Sequence, residues 1–301
     1  MSDLQAPLKN FPKKHDYLVC IDSDGCAFDT MEIKHKECFI PNIINSWDLQ
    51  PVSKFARYAA EFVNLYSKDR GINRFPALIR VFDLLMDWPD VQKRQAKIPQ
   101  AKALRDWIQR ETKLGNPTLK AEVEKTYDPD LTQALKWSEA VNRTIAEIVH
   151  GVPPFPYVRE SLQEITAWAD VLVCSATPGE ALVREWEEHD ISKYVAVIAG
   201  QEMGSKKEHI AMVTAGRYEK SKVIMMGDAP GDMKAARANG VLFYPINPGA
   251  EDGSWECFFK EGAEKFHRGE YTSEYEAGLI AEFDKLLPEL PWWKTHHKAS
   301  A

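Results

Sequence analysis

The sequence has few cysteines and lacks the cysteine spacings of a disulfide framework or a zinc site. Its 301 residues contain five cysteines, none of them in a CxxC pair, and two of them lie inside apolar, strand-like runs. Secreted disulfide scaffolds and zinc sites both depend on closely spaced cysteines. This cysteine usage predicts a reducing, cytoplasmic protein.

The chain also lacks an excess of positive charge and any long apolar run. Its formal net charge is −7, whereas a surface that coats nucleic acid needs clustered positive charge. No apolar run approaches the length of a membrane span, and the first residues, MSDLQAPLKNFPKKHD, contain no apolar segment typical of a signal peptide. We therefore expect neither a nucleic-acid partner nor a membrane partner. Small anionic substrates are not excluded, because a few local cations suffice to bind them.

Five short apolar runs indicate the strands of a parallel sheet. Each run is rich in Val and Ile and is bounded by turn or charged residues: YLVCI at 17–21, VLVC at 171–174, YVAVIA at 194–199, VIMM at 223–226 and VLFY at 241–244. Uninterrupted apolar runs suit strands that are buried on both faces. Helical patterns separate the later runs, so we predict an α/β fold with a doubly wound, Rossmann-like parallel sheet. Such sheets bind ligands beyond the carboxyl ends of their strands.

The long stretch between the first two runs has a different character. Residues 33–150 have helix-forming composition, no convincing strand and several breaks at Pro or Gly. We predict that they form an inserted all-helical domain, while 1–32 and 151–301 form the sheet domain. The segment GVPPFP at 151–156 suits a stiff, non-helical return linker.

Two carboxylates follow the first predicted strand. Asp22 and Asp24 are two residues apart in IDSDGCAFDT, and Gly25 permits a sharp exit from the strand. Two carboxylates at one site can divide their roles, one staying ionised while the other serves as a general acid. Asp and Gly are also common turn residues, so this pattern by itself is compatible with a plain turn.

Polar residues follow the second strand as well. Ser175 offers a hydroxyl at the strand end, and Thr177 and Glu180 have capping-box spacing with Pro178 at the first helical position. This pattern predicts a helix N-terminus that can bind an anion. A simple helix cap would leave the same pattern.

Two further groups lie near the third and fourth strand ends. In GSKKEHI either Lys206 or Lys207 could neutralise an anionic site, and Lys206 is slightly favoured. In GDAPGD, Asp228 follows a strand, where a Mg²⁺ ligand would be placed. Asp232 falls near a helix N-terminus, where a carboxylate is favourable without any metal.

The order of these motifs resembles the haloacid dehalogenase-like superfamily. The segment DSDGCAFDT is similar to the family's first motif, CSATP to the second, SKK to the third and GDAPGD to the fourth. PFPYVRESLQEI also resembles the family's return from its cap to its core. The inserted helical stretch stands where the family places its helical cap domain.

The resemblance implies a role for each of these positions. Asp22 would attack phosphorus, and Asp24 would protonate the leaving oxygen. Ser175 and the backbone at Ala176 would hold the phosphoryl oxygens, with Lys206 as the lysine of the third motif. Mg²⁺ would be held by four aspartates, with Asp24 contributing its backbone carbonyl and Asp232 acting either through water or by supporting the direct ligands: Asp22, Asp24, Asp228 and Asp232.

These roles describe a Mg²⁺-dependent phosphatase that hydrolyses a small phosphorylated metabolite through an aspartyl-phosphate. The dehalogenases of the family lack the second carboxylate that Asp24 supplies here. A phosphomutase of the β-phosphoglucomutase type uses the same two aspartates and is an alternative. A non-catalytic binding protein that kept the fold is another alternative, since fold alone does not establish activity.

Two arginines in the predicted helical domain are candidate substrate contacts. Arg70 and Arg74 flank Gly71 in DRGINRFPALIR, and arginine suits recognition of phosphate or carboxylate. An interhelical turn with exposed cations is the structural alternative. Cys26 lies beside the acidic pair, but without a neighbouring base it is interpreted as a packing residue.

Overall fold

The computed structural model describes residues 3–295 as two compact units. The sheet unit comprises residues 3–31 and 151–287, and the helical unit comprises residues 32–150 and 288–295. The sequence analysis placed all of 151–301 with the sheet. The structure differs at this end, because residues 288–295 belong to the helical unit, while residues 296–301 lie outside the described part of the chain.

The elements are numbered here along the chain. The strands are β1 (Tyr17–Ile21), β2 (Ala169–Cys174), β3 (Val197–Ala199), β4 (Val223–Gly227) and β5 (Leu242–Pro245). The helices are α1 (Ala6–Lys9), α2 (Thr30–Ile33), α3 (Ile40–Ser46), α4 (Ser53–Leu65), α5 (Arg74–Met86), α6 (Pro89–Lys93), α7 (Lys102–Arg110), α8 (Asn116–Thr126), α9 (Pro129–Ile148), α10 (Val158–Ile165), α11 (Gly179–Glu188), α12 (Lys206–Thr214), α13 (Pro230–Asn239), α14 (Glu251–Cys257), α15 (Ala263–His267), α16 (Ser273–Leu286) and α17 (Trp292–Thr295). Two π-helical turns, Lys34–Phe39 and Phe258–Gly262, join neighbouring helices.

The five strands form one parallel sheet in the order β3-β2-β1-β4-β5. The predicted doubly wound α/β fold is therefore confirmed. β1 occupies the centre, between β2 and β4, so its carboxyl end is flanked by the ends of both neighbours. The third strand is shorter than predicted, because Ser192–Tyr194 forms a 3₁₀ turn and only Val197–Ala199 pairs with β2.

The continuous apolar runs are explained by burial on both faces of the sheet. Alternate side chains of each strand enter different cores. One core contains Val19, Ile21, Val171, Val173, Ile224 and Met226, and the other contains Leu18, Cys20, Leu172, Cys174 and Met225. Full burial of one such side chain contributes about 1.5–3 kcal/mol. The candidate catalytic residues begin where these apolar runs end.

The helical unit has its own aromatic core. Trp107 and Trp137 are almost fully buried, and both pack edge-on against Phe75. Trp293, near the C-terminus, stacks on Trp88 with ring centroids 4.1 Å apart. Within residues 3–295, no helix combines the length and the apolar character needed to cross a membrane.

Candidate active site

Asp22 is held at the carboxyl end of the central strand. Its backbone N–H donates to the Met226 carbonyl at 3.0 Å, which extends the β1–β4 pairing by one residue. Its Oδ1 accepts a hydrogen bond from the backbone N–H of Ser23 at 2.8 Å. Asp22 is only 5% exposed. The carboxylate thus has a defined orientation at the point where the sheet ends.

A tight loop places Asp24 next to Asp22. Gly25 has a φ of +76°, a conformation that favours glycine, and its N–H donates to the Phe28 carbonyl at 2.8 Å. The indole N–H of Trp255 donates to the Cys26 carbonyl at 2.7 Å and anchors the loop from the opposite side. The sharp exit predicted at Gly25 is therefore confirmed.

Each carboxylate oxygen of Asp24 accepts a hydrogen bond from a threonine. Thr30 donates to Oδ1 at 2.5 Å, and Thr177 donates to Oδ2 at 2.7 Å. Both threonines are hydroxyl donors that can also accept, so the contacts can persist whether or not Asp24 carries a proton. The orientation of Asp24 therefore depends on two separate segments of the chain.

The structure corrects the predicted role of Thr177. The helix after β2 begins at Gly179, Pro178 stands at its N-cap position, and no side chain caps it. Thr177 therefore does not form the predicted capping box with Glu180; its hydroxyl reaches Asp24 instead. Ser175 lies at the end of β2, almost fully buried, with its N–H bonded to the Ala199 carbonyl at 3.0 Å.

Asp228 and Asp232 extend from the end of β4. Asp228 is 1% exposed and Asp232 is fully buried. The N–H of Ala229 donates to Asp232 Oδ2 at 3.1 Å, which folds the first turn of α13 back toward the strand. A Cβ on Gly227 would lie 2.4 Å from Asp232 Cβ and Cγ, so only glycine allows this close approach.

The structure brings Lys206, rather than Lys207, to the carboxylates. Its Nζ lies 2.5 Å from Asp22 Oδ2 and 2.5 Å from Asp232 Oδ1. Ser205 caps α12 in a capping box with Glu208, and this sets Lys206 as the first residue of the helix. The S-x-x-E pattern was present in the sequence and could have distinguished the two lysines.

Burial controls the electrostatics of this cluster. It raises the pKa of Asp22 to about 6, although the nearby Lys206 ammonium opposes the shift. Burial also raises the pKa of Asp232, and Lys206 again opposes it. The pKa of Lys206 is raised because the attraction of the two carboxylates outweighs its burial. Burial and three nearby carboxylates raise the pKa of the Cys26 thiol well above its usual value, which disfavours a thiolate there.

Three of the aspartates form a cluster that could hold a metal ion. Asp22, Asp228 and Asp232 are all buried, and each offers one carboxylate oxygen within 4.8 Å of the other two. With Lys206 the group carries three negative charges and one positive charge, a net charge of −2. Carboxylate oxygens are the ligands that hard divalent cations such as Mg²⁺ prefer. The donor set therefore fits Mg²⁺ in both chemistry and charge.

The two predicted arginines lie in the helical unit and differ from each other. Arg70 is 3% exposed and donates to the Leu65 carbonyl at 2.9 Å, within the turn that follows α4. Arg74 is the first residue of α5, and its Nη1 donates to side chains of α9, those of Ser138 and Asn142. Neither is the exposed cation of a simple turn.

Sequence reasoning missed four residues that support the acidic loop. Thr30 was visible in the DT of the first motif, but its bond to Asp24 was not inferred. Ser23, between the two acids, donates to Glu185 at 3.1 Å and accepts from the Trp186 indole at 3.0 Å. No local pattern in the sequence indicates either of these partners on α11.

A comparison with known protein families matches the part of the chain that carries most of the site residues. The sequence model of the family described as "haloacid dehalogenase-like hydrolase" matches residues 105–246. That stretch contains Ser175, Lys206, Asp228 and Asp232. No curated protein sequence matches the chain.

Solved structures with similar folds include several hydrolases. A haloacid dehalogenase-like family hydrolase from Streptococcus pneumoniae is 14% identical, with 80% of this chain and 90% of that chain covered and a TM-score of 0.41. One from Xanthomonas campestris is 15% identical, with 78% and 84% covered and a TM-score of 0.41. A HAD-superfamily hydrolase of subfamily IA from Geobacter sulfurreducens is 14% identical, with 78% and 89% covered and a TM-score of 0.39.

The sequence match and the geometry of the site involve the same residues. The matched segment supplies three of the four motifs, and the structure brings them to the strand end that carries the first motif, at Asp22 and Asp24. Residues 105–246 of the chain are therefore similar to the haloacid dehalogenase-like hydrolases, and the structure places the polar groups of that segment beside Asp22 and Asp24.

Proposed function

We propose that this protein is a Mg²⁺-dependent phosphatase that hydrolyses a small phosphate monoester through an aspartyl-phosphate on Asp22. The observation that carries the proposal is the pairing of Asp22 with Asp24. One carboxylate lies among cationic and acidic groups at the strand end, and the other is held two residues away by two hydroxyls. A nucleophile and a separate proton donor are what phosphate-ester cleavage through a covalent intermediate requires.

In the first step an Asp22 carboxylate oxygen attacks phosphorus. The bond from phosphorus to the ester oxygen breaks, and Asp24 gives its proton to that oxygen, so the alcohol leaves neutral. In the second step Asp24, now ionised, takes a proton from water while the water oxygen attacks phosphorus. The bond between phosphorus and Asp22 breaks, inorganic phosphate leaves, and both carboxylates return to their starting states.

The remaining residues of the cluster support charge balance. Lys206 pairs with Asp22 and would offset the negative charge that accumulates as the phosphoryl group arrives. Ser175 and the backbone N–H groups around Ala176 would bind phosphoryl oxygens at the end of β2. Asp22 and Asp228, with the Asp24 carbonyl, would hold Mg²⁺. When bound, Mg²⁺ would neutralise phosphoryl oxygens and orient them.

Asp232 is better suited to an indirect role in that site. Both of its carboxylate oxygens already accept hydrogen bonds, one from Lys206 and one from the backbone of Ala229. It would therefore fix Lys206 and contact Mg²⁺ through water. Contact through water and support of a neighbouring group are the two indirect roles that the family resemblance implied for it.

The test is Mg²⁺-dependent phosphate release from an aryl phosphate and from a panel of phosphorylated metabolites. Wild type is compared with Asp22→Asn and with the control Asp16→Asn, which changes an exposed acid at the opposite end of β1. We expect release by wild type and the control, loss with EDTA, and loss in Asp22→Asn. Acid-quenched wild type should also retain label from a ³²P-labelled substrate.

Other outcomes would redirect the assignment. Equal release by wild type and Asp22→Asn would refute the nucleophile. Isomerised phosphosugar without net phosphate release would indicate a phosphomutase. No turnover and no labelled protein with any compound, from folded wild type, would refute an enzymatic role on these substrates.

A further inference from the structure

The guanidinium of Arg74 has no carboxylate partner. Its three hydrogen bonds all come from Nη1, and all go to neutral oxygens: Ser138 O at 3.3 Å, Ser138 Oγ at 2.9 Å and Asn142 Oδ1 at 2.7 Å. Within residues 3–295 no carboxylate forms an ion pair with it. Two other arginines of the helical unit are paired, Arg80 of α5 with Asp69 and Arg105 of α7 with Asp83.

Arg74 is half-buried. Its Cζ lies 5.0 Å from the centre of the Phe39 ring, and Phe39 is stacked on His35. Burial lowers the pKa of Arg74 to about 10, with no acidic neighbour to counter it. A buried charge is costly unless an opposite charge accompanies it. Since no carboxylate among residues 3–295 pairs with this half-buried charge, an anionic ligand is the partner that would balance it.

The hydrogen bonds of Arg74 leave one edge of its guanidinium for that partner. Nη1 is held by Ser138 and Asn142, which fixes the plane of the group, while Nε and Nη2 have no acceptor among residues 3–295. The planar fork of arginine matches the two oxygens of a carboxylate or a phosphate. A fixed fork with one unused edge is arranged to bind such an anion.

Neighbouring groups add positive potential at the same place. Ser138 Oγ donates to Oδ1 of Asn116, the first residue of α8. The N-terminus of α8 has no side-chain cap, because its N-cap residue is Gly115. Asn73, at the N-terminus of α5, donates to the Leu114 carbonyl at 3.0 Å and ties the two helix starts together. The N-terminus of α5, which begins at Arg74, and that of α8 are therefore linked by hydrogen bonds, and helix N-termini favour a negative charge.

We propose that Arg74, Ser138 and Asn142 form an anion-binding site in the helical unit, for a carboxylate or phosphate group. Ser138 and Asn142 orient the guanidinium, and its Nε–Nη2 edge binds the two oxygens of the anion. Arg70 takes no part in this, since its buried side chain serves the turn after α4.

The binding test uses calorimetric titration with malonate and with orthophosphate, in EDTA. Without metal, the acidic cluster of the sheet unit repels both probes. Wild type is compared with Arg74→Gln, Arg74→Lys and the control Arg80→Gln, which removes a paired arginine from the same helix. We expect saturable binding to wild type and Arg80→Gln, binding at least tenfold weaker to Arg74→Gln, and an intermediate affinity for Arg74→Lys.

Thermal unfolding separates binding from a structural role. We expect Arg74→Gln to unfold at the same temperature as wild type or higher, because glutamine keeps a hydrogen-bonding group and removes an unbalanced charge. The proposal is overturned if wild type binds neither probe saturably, or if Arg74→Gln binds as tightly as wild type. Neither result bears on phosphate release, so this site and the phosphatase assignment can fail separately.

A kinetic comparison identifies the source of the anion and rests on the proposed phosphatase activity. The substrates are an aryl phosphate and a phosphorylated hydroxy acid that carries a second anionic group. A tenfold higher KM for the hydroxy acid alone in Arg74→Gln assigns the site to the substrate's own second anion. If malonate instead changes the rate of wild type but not of Arg74→Gln, the ligand is a free anion that regulates the enzyme.

Discussion

The hydroxyl of Thr177 donates to Oδ2 of Asp24 at 2.7 Å, although 153 residues separate them in the chain. The bond joins the end of β2 to the loop that follows β1, so the proton donor of the proposed reaction is oriented by the segment that also carries Ser175. Because Thr30 donates a hydrogen bond to the other oxygen, both carboxylate oxygens of Asp24 are restrained.

Replacing Thr177 by valine keeps the side-chain shape but removes this donor. We expect kcat to fall about tenfold or more, since a hydrogen bond to a charged group contributes about 1.5–3 kcal/mol. KM should change little, because the hydroxyl contacts Asp24 rather than the substrate. Steady-state kinetics test this, with Thr177→Ser as the matched variant that keeps the hydroxyl. Equal kcat for valine and serine would contradict the positioning role.

Replacing Lys206 by methionine leaves Asp22 and Asp232 buried beside each other without their shared cation. We expect the free energy of unfolding to fall by about 3–5 kcal/mol, the usual effect of breaking a buried ion pair. Urea denaturation in EDTA measures it. The control is Lys207→Met, which should be close to wild type. Added Mg²⁺ should restore part of the loss in Lys206→Met, and a variant as stable as wild type in EDTA would contradict the inferred electrostatics.

The pH dependence of stability should reflect Asp22. Burial raises its pKa from 3.8 to about 6, so between these values the folded protein binds more protons than the unfolded chain, and stability falls as pH rises. In EDTA, Asp22→Asn should therefore be the more stable protein above pH 6, by on the order of 2 kcal/mol. Below pH 4 the two should converge. Denaturation midpoints of both proteins, measured across this pH range, test the prediction. A stability advantage of Asp22→Asn that grows toward acid pH would contradict it.

Replacing Gly227 by alanine would place a Cβ 2.4 Å from the Asp232 side chain. We expect a loss of about 1–3 kcal/mol of stability from this overpacking. Displacement of Asp232 and its partner Lys206 should also lower kcat. Gly231→Ala, in the first turn of α13, is the matched control, since a Cβ there meets nothing within 4 Å. Thermal unfolding and phosphate release test both variants, and equal behaviour would show that the close approach is unimportant.

The strands and their order along the chain were accessible from the sequence because they depend on local composition. YLVCI and VIMM became β1 and β4 with bounds that differ from the prediction by at most one residue. The third run was predicted too long, since YVAVIA contains two residues that lie in or beside a 3₁₀ turn before the strand begins. Apolar composition alone does not distinguish a strand from the turn that leads into it.

Thr177 shows where such reasoning fails. Its spacing to Glu180 matches a capping box, so the local pattern predicted a helix cap, whereas the hydroxyl bonds to a residue of a different strand end. The choice between Lys206 and Lys207 was also open, although the Ser205–Glu208 box that determines it is a local pattern. The role of Thr177 depends on a contact with a residue distant in sequence. The choice between the two lysines could have been made from the residues next to them.

The sequence by itself determined the chemistry at the strand ends. Uninterrupted apolar runs specify buried parallel strands, and acidic, hydroxyl and basic residues can follow only where those runs stop. Only the tertiary structure decided which of these groups meet. The pairing of β1 with β2 and of β2 with β3 brings Thr177 to Asp24 and Lys206 to Asp22. The hydrogen bonds from α5 to α9 give Arg74 neutral partners, with no acidic one among residues 3–295. These outcomes depend on contacts between distant segments, and no local preference of the chain encodes them.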